Sequence, residues 1–390
     1  MTSIAVVNAG SSSSKFAVFD AAAEPLLRLR GEIEGIGATP RARLSDAQGK
    51  ILLEEAPSST GFDHAAATQA MFRIAAPWLD GSDIAAVGHR VVHGGADYFS
   101  PVLVTDEFIA RLADLIPLAP LHQPHNLAVI RAMRDLYPHL PQVACFDTAF
   151  HHDQPPIAQA FAIPREYSQA GVRRYGFHGI SYAYITGRLK ALAPAYAAGR
   201  VIVAHLGNGA SLCAVKDGRS VATTMGFTAV DGLMMGTRCG TIDPGVLIHM
   251  MDRYGFDARQ LEDMIYRKSG LLGVSGVSSD MRTLRASSEP AAIEAIALFV
   301  YRIVREIGSL AAALGGLDAI VFTGGIGEND AATRAEVATG CAWLGLTLDD
   351  AKNGEAALLI SAADSRVGAF VIPTNEELEI AKSAWAIICA

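Results

Sequence analysis

Several side chains in this sequence sit where a small anion could be held. Arg238 lies between glycines in Gly236-Thr237-Arg238-Cys239-Gly240. A guanidinium there offers planar, paired donors to a phosphate or a carboxylate. His178 is set the same way in Tyr175-Gly176-Phe177-His178-Gly179, and Arg90 in Gly88-His89-Arg90-Val91-Val92-His93-Gly94-Gly95. Glycine runs follow apolar runs at His205-Leu206-Gly207-Asn208-Gly209 and at Gly324-Gly325-Ile326-Gly327-Glu328-Asn329. Without Cβ atoms, such loops let a ligand approach the backbone, and their N–H groups can face an anion. Carboxylates end two other apolar runs, Asp147 after Val143 to Phe146 and Glu376 in Thr374-Asn375-Glu376-Glu377. A transferring phosphoryl group spreads negative charge over its equatorial oxygens, and positioned Arg and His donors are what it needs. Each residue also has a plainer reading. Arg238 and Arg90 could be solvated surface groups, His178 a satisfied structural histidine, and Glu376 a helix-start carboxylate favoured by the dipole. His93, His125 and His151 are read as structural.

The elements that must position these groups are strands ending in loops. Residues 201–215 read as strand, glycine loop and strand, turning at Lys216-Asp217-Gly218-Arg219. Residues 4–20 (IAVVNAGSSSSKFAVFD) line up on residues 201–217 without gaps, with Asn8 on His205, Gly10 on Gly207 and Asp20 on Asp217. Two such units half a chain apart suggest duplicated halves, each offering an anion loop, and facing loops would suit a polyphosphate. Further strands are expected over 26–55, 84–92, 143–146, 318–323 and 369–372. Helices are expected over 62–79, 105–116 behind a Thr105 N-cap, 181–192, 245–254, 258–268, 291–314 and from Asp330, with a last one after Leu378. Residues 117–126 read as a proline-rich loop carrying His122 and His125, 270–279 as too rich in Gly and Ser for either element, and 324–329 as a loop. Interleaved strands and helices make the chain α/β. The repeat places a boundary near residue 148, giving domains 1–147 (completed by a final helix, about 379–390) and 148–378.

Composition narrows the class. The chain of 390 residues is 51% hydrophobic and 18% charged with net charge -8, which fits a globular protein of about two or three domains. Without a long basic run, nucleic acid and anionic membrane are excluded as partners. The longest uncharged stretch, residues 115–130, is short for a bilayer span and carries Pro117, Pro120 and Pro124. No basic region precedes the first apolar run, so no signal peptide is expected. The five cysteines are scattered, with no CxxC pair, and read as reduced thiols of a cytoplasmic protein.

Familiar nucleotide motifs do not fit. There is no G-x-x-x-x-G-K-[ST] run, Gly325-Ile326-Gly327 lacks the third glycine of a dinucleotide fingerprint, and His89-Arg90 is followed by Val rather than a kinase Asp. What remains is the actin and sugar-kinase arrangement, in which hairpin loops from two duplicated halves clamp phosphates. Here the motifs carry a family resemblance. Asn8-Ala9-Gly10-Ser11-Ser12-Ser13 closely resembles the N-terminal signature of the acetate kinase family. The runs around Arg90, Asp147, His178, His205, Arg238, Gly325 and Glu376 match in order, from residue 4 to about 380. The resemblance implies a homodimer of duplicated actin-like, ribonuclease H-like domains, with ATP and Mg²⁺ in a cleft (Mn²⁺ as a substitute). It implies reversible transfer of a phosphoryl group between ATP and a short carboxylate, ADP and an acyl phosphate being the products.

By that resemblance Asn8 and Glu376 lie near the metal, and Lys15 near the nucleotide phosphates. Arg90 holds the substrate carboxylate, with Val92, Leu121, His122 and Phe177 around the substrate. His178 and Arg238 stabilise the transferring group. His205, Leu206, Gly207, Asn208 and Gly209 contact phosphate. Asp280, Met281 and Arg282, with Gly325, Ile326, Gly327, Glu328 and Asn329, hold the rest of the nucleotide. Asp147 is the family's proposed proton donor or acceptor. A carboxylate acceptor, with a pKa of about 4, needs no base at neutral pH, so orienting an arginine or a metal-bound water is the better role for Asp147.

The chain departs from the family at Ser14, Gln123, Tyr182, Thr241 and Ala229, where leucine, asparagine, histidine, an acidic residue and proline are common. None removes a catalytic side chain, but Ala229 bears on the alkyl pocket and leaves acetate against propionate open. A sugar kinase is a poor fit, since a hydroxyl acceptor calls for an Asp base beside few cationic groups. An actin-like ATP-binding switch is another class of reading, but it would not need Arg90, His178 and Arg238 beyond its phosphate site.

Overall fold

The computed structural model describes every residue except Met1, Ser11, Ser12, Asp80 and Leu121. Ser11 and Ser12 of the first loop, and the substrate candidate Leu121, therefore lie outside the described residues. The chain divides into two compact units, Met1–Ala149 with Asn375–Ala390, and Phe150–Thr374.

The first unit is built on a mixed sheet of order β5-β4-β3-β2-β1-β6-β8-β7 among the described residues. Its strands are β1 (Thr2–Ala9), β2 (Ser13–Asp20), β3 (Leu27–Glu34), β4 (Arg41–Asp46), β5 (Ile51–Glu55), β6 (Asp83–Val91), β7 (Val102–Leu103) and β8 (Gln142–Phe146). β1 runs antiparallel to β2 and parallel to β6, and β6 runs parallel to β8. The apolar run Ile4 to Val7 is buried throughout because helices cover both faces of the sheet. Met71 and Ile74 of the helix His64–Ala75 join Val129 and Met133 of Gln123–Leu136 in one cluster with Ala5, Val7, Phe16 and Val18. The final helix, Glu376–Ile388, packs against β1, β6 and β8. Gly88 makes that approach close, since a Cβ there would stand 2.5 Å from Ile380 Cγ2.

The second unit has a sheet of order β11-β10-β9-β12-β13, formed by β9 (Arg200–Leu206), β10 (Ala210–Lys216), β11 (Arg219–Thr223), β12 (Ala319–Thr323) and β13 (Gly368–Val371). β9 is antiparallel to β10 and parallel to β12, which is parallel to β13. The same core therefore recurs, an antiparallel hairpin whose first strand leads into two parallel ones. The two hairpins are the segments that align in the sequence, and the repeated order is the actin-like, ribonuclease H-like pattern. Phe299, Ile303 and Ile307 form the buried stripe of the long helix Pro290–Leu314, which packs on β9, β10 and β11. Tyr182, Ile185 and Leu189 of Gly179–Leu192 share a core cluster with Val201, Val203 and Cys213. Among the described residues no helix is long and apolar enough to cross a membrane.

Three segments differ from the sequence reading. The loop expected over 117–126 gives way at Gln123 to the helix Gln123–Leu136, whose first turn contains Pro124, where a missing N–H costs nothing. Within 270–279, Gly270–Ser275 is helical, because Leu271 is buried and Gly276 closes the helix in the left-handed conformation. The glycine loop 324–329 is the short helix Gly324–Asn329, with Glu328 Oε1 accepting from the Gly324 N–H at 2.8 Å.

Placing a methyl at Gly88 should drive the final helix off β6. Gly88→Ala is expected to cost about 1–3 kcal/mol, as for other overpacked cores, read as a lower denaturation midpoint. Combined with Ile380→Ala, it should cost less than the two single changes added together.

Candidate active site

In the first unit the parallel pairing of β6 with β8 sets Arg90 opposite Cys145 and Val91 opposite Phe146, so Asp147 follows directly at the strand end. Arg90 Nε donates to Asp147 Oδ1 at 3.0 Å and Oδ2 at 3.2 Å, and Nη2 donates to Oδ2 at 2.7 Å. The remaining nitrogen, Nη1, faces Asn8 Oδ1 at 3.3 Å and Glu376 Oε2 at 3.6 Å. Asp147 is 2% exposed and Arg90 21%. Burial works against the Arg90 charge, but the carboxylates of Asp147, Glu376 and Glu377 outweigh it and hold its pKa above the ordinary arginine value. Glu376 opens the final helix, capped by Asn375 Oδ1, which accepts from the Leu378 N–H at 3.0 Å.

Lys15 pairs with Asn8 across the first hairpin, and its largely exposed ammonium lies 3.8 Å from Glu32. Val92 is buried, with its N–H donating to Asn126 Oδ1 at 3.1 Å, and His122 is the N-cap residue of Gln123–Leu136. Gln123 is buried and donates to His93 O at 3.0 Å. Asn8 and Glu376 thus present two oxygens at one guanidinium nitrogen. Among the described residues no group of three or more His, Cys, Asp or Glu could cage a metal. Mg²⁺ commonly takes one or two protein oxygens and completes its shell with phosphate and water, and the Asn8–Glu376 pair fits that donor set.

In the second unit His178 is one of the few non-glycine residues with a left-handed backbone, at φ 59°, just before the helix Gly179–Leu192. Such conformations cost of order 1–3 kcal/mol and persist where the surroundings fix them. Here the ring does so. His178 Nδ1 lies 2.9 Å from Ser211 Oγ, and the imidazole stacks on His205 with centroids 4.3 Å apart. Arg238 Nη1 donates to Ala229 O at 3.0 Å and lies 3.7 Å from Met235 Sδ. Both side chains converge on the glycine turn after β9, where a Cβ at Gly209 would stand 3.3 Å from His178 Nε2 and 3.8 Å from Arg238 Nη1. Gly236 N donates to Asn208 O at 2.9 Å, and its missing Cβ leaves room for the Asn208 side chain. Phe177 is buried.

Beside this turn opens a cavity of about 1010 Å³, large enough for a nucleoside, lined by Gly207, Asn208, Asp280, Met281, Arg282, Gly325, Ile326 and Asn329. His205, Leu206, Gly209, Gly327 and Glu328 are not in its wall. The Glu328 carboxylate turns inward and accepts from the Gly324 N–H at 2.8 Å and the Thr374 N–H at 3.0 Å. Thr374 in turn meets Ser181 Oγ, which lies 2.9 Å from His205 Nδ1. Asp280 caps its own helix through the Arg282 N–H and pairs with the Arg282 guanidinium, whose hydrogen bond holds its pKa down to about 2. The sequence reading missed Ser279, Arg285, Ala286 and Asp330 in this wall. Arg285 falls one helical turn after Arg282, a spacing that could have flagged it, and is tied to Glu336 and Asp330 at 2.7 and 3.2 Å.

Comparison with known proteins agrees over the full length. The profile of the acetokinase family matches residues 3–382. The chain is 54% identical to an acetate kinase of Rhodopseudomonas palustris over 98% of its own length and 97% of that protein. The structure superposes on the Porphyromonas gingivalis acetate kinase with a TM-score of 0.90 at 37% identity, all of both chains being covered. It superposes on a Francisella tularensis propionate kinase at 0.92 and 36%, covering 99% of this chain and 100% of that one.

His151 supports the turn that carries His178. It is buried, with Nε2 3.0 Å from Phe177 O and Nδ1 2.9 Å from Ser220 Oγ. Burial lowers its pKa from 6.5 to about 4, so the folded state refuses a proton that the unfolded chain accepts. Its stability contribution is complete above pH 6.5 and declines as the pH falls from 6.5 to 4. His89, also pulled down to about 4 by burial, adds to the same window. Denaturation midpoints across this range should therefore fall with acid, and His151→Gln should remove its share of the slope.

Proposed function

The chain belongs to the acetokinase family, and on that footing we propose that it transfers the γ-phosphoryl group of ATP reversibly to acetate, giving acetyl phosphate and ADP. The observation that carries this reading is the convergence of His178 and Arg238 on one glycine turn beside a nucleoside-sized cavity. A carboxylate oxygen of acetate forms the new bond to the γ-phosphorus. The bond from that phosphorus to the β–γ bridging oxygen breaks, and its electron pair leaves with ADP. Acetate is already ionised at neutral pH, with a pKa of about 4 for such groups, so no residue must take a proton from it.

Each side chain then has a task. Asp147 holds Nε and Nη2 of Arg90 and so fixes the orientation of the guanidinium that receives the substrate carboxylate. Arg238 and His178 donate to the equatorial oxygens as charge spreads onto them. Lys15 and the N–H groups of the Gly207 to Gly209 turn hold the nucleotide phosphates, and the cavity around Met281 and Ile326 takes the nucleoside. Asn8 and Glu376 hold Mg²⁺ (or Mn²⁺), whose charge when bound offsets that of the phosphates.

A second substrate, propionate, is favoured by Ala229, which carries only a methyl where the family commonly has a proline ring. The working form is a homodimer. The helices Pro244–Tyr254 and Ala258–Arg267 contain no buried residue, and Ile248, Met251 and Tyr254 are 59%, 48% and 62% exposed. Ile293 and Tyr301 of Pro290–Leu314 add 59% and 57% exposed surfaces. We assign these exposed apolar side chains to contact with a second copy of the chain. All five cysteines are unpaired, which suits the cytoplasm.

Incubation with Mg-ATP, hydroxylamine and a panel of carboxylates tests the reaction, because hydroxylamine traps acyl phosphates. Product is expected with acetate and propionate, and its absence with every short carboxylate would refute the proposal. Arg238→Ala should lose about 10³-fold or more in kcat with little change in nucleotide affinity, and Arg238→Lys should recover only part. Turnover near wild type in Arg238→Ala would take this residue out of the mechanism. The assembly is tested by light scattering, where Ile248→Asp with Tyr301→Asp should convert dimer to monomer.

A further inference from the structure

Behind His178 lies a short chain of hydroxyl groups. Tyr182, one turn further along the helix Gly179–Leu192, is 0% exposed, its ring edge-on to His151 at 5.5 Å and tilted against Phe150 at 6.2 Å. Its hydroxyl meets Ser211 Oγ, and Ser211, also 0% exposed, lies 2.9 Å from His178 Nδ1. Ser211 sits on β10, next but one after Gly209, the turn on which His178 Nε2 and Arg238 converge.

The direction of each hydrogen follows from counting donors. Among the described residues, Ser211 Oγ is the hydrogen-bond partner of the Tyr182 hydroxyl. Burial raises the Tyr182 pKa well above its ordinary value, so the hydroxyl keeps its hydrogen. A buried O–H left without an acceptor is costly, so Tyr182 donates and Ser211 accepts. That leaves the Ser211 hydrogen, for which His178 Nδ1 is the acceptor at hand. Nδ1 then carries a lone pair, and the ring hydrogen sits on Nε2. If Nδ1–H donated to Ser211 instead, the serine oxygen would receive two hydrogens and its own would be stranded.

We propose that Tyr182 and Ser211 are positioning residues that fix His178 as its Nε2–H tautomer, so that a hydrogen donor and not a lone pair faces the transferring phosphoryl group. Both residues are fully buried, so neither is placed to touch substrate. The consequence for rate rests on the proposed phosphoryl transfer, whereas the tautomer itself can be read without any turnover.

The experiment is ring-nitrogen NMR on full-length protein carrying isotope-labelled histidine, with His178 assigned by its loss in His178→Gln. Wild type should show His178 as the Nε2–H form. Tyr182→Phe, which keeps the ring packing, and Ser211→Ala should each give a mixture of tautomers. In steady-state assays with acetate, both should lose about five- to tenfold in kcat, the scale of one hydrogen bond, with KM for ATP and acetate little changed. The double variant should be no slower than Ser211→Ala, since the two groups act in series. An Nδ1–H tautomer in wild type, or an unchanged tautomer in both single variants, overturns the proposal. If wild type shows the Nε2–H form but phosphorylates no carboxylate, the hydroxyl chain stands and the reading of the reaction fails.

Discussion

The first unit depends on keeping one guanidinium charged while most of it is out of water. Arg90 is 21% exposed and would be costly to bury alone, yet Asp147 covers two of its nitrogens and Glu376 approaches the third. The register of β6 on β8 places Asp147, and the start of the last helix places Glu376. That helix can lie against β6 because Gly88 has no side chain in its path. A packing detail near the end of the chain thereby sets the electrostatics of a residue near position 90. Removing one carboxylate would leave a buried charge short of its counter-charge, which is why such pairs are expensive to break.

The second unit gathers its cationic and polar side chains by a different device. It brings donors to a backbone turn that has no side chain of its own. Arg238 is aimed by a backbone carbonyl, that of Ala229, and His178 by a serine on the strand leaving the turn. The strained backbone at His178 is fixed by its ring contacts and by the buried His151 behind Phe177. Pre-placed donors of this kind need no reorganisation when charge develops on a phosphoryl group. The duplicated hairpins therefore present unlike groups, one setting Asn8 against the Arg90 guanidinium and the other a glycine turn against His178 and Arg238.

Much of this was legible because the informative residues are local. The β1–β2 and β9–β10 hairpins could be aligned from apolar runs and glycines alone, and Asp147 at the end of β8 followed from a short apolar run. Thr105 was readable as a cap, and its side chain does accept from the Phe108 N–H at 3.1 Å. Where burial overrides local propensity, the sequence misled. Gly270–Ser275 is helical although half its residues disfavour helices, and Gln123–Leu136 starts inside what reads as a proline loop. Side-chain direction was the least legible property. Glu328 sits in a glycine run read as nucleotide-binding yet points inward to Thr374, and Tyr182 looks like a neutral replacement until its hydroxyl is seen against Ser211.

The proposed mechanism turns on Asp147 acting through Arg90 and not as a proton acceptor of its own. A double-mutant cycle over Arg90→Ala and Asp147→Asn, read in kcat/KM for acetate at saturating Mg-ATP, decides between these roles. If Asp147 works by aiming Arg90, its change should add nothing once Arg90 is gone, and the double variant should match Arg90→Ala within about twofold, the usual error of such cycles. Losses that multiply, with the double variant falling below Arg90→Ala by the full factor seen for Asp147→Asn alone, would contradict the account and return Asp147 to an independent catalytic role.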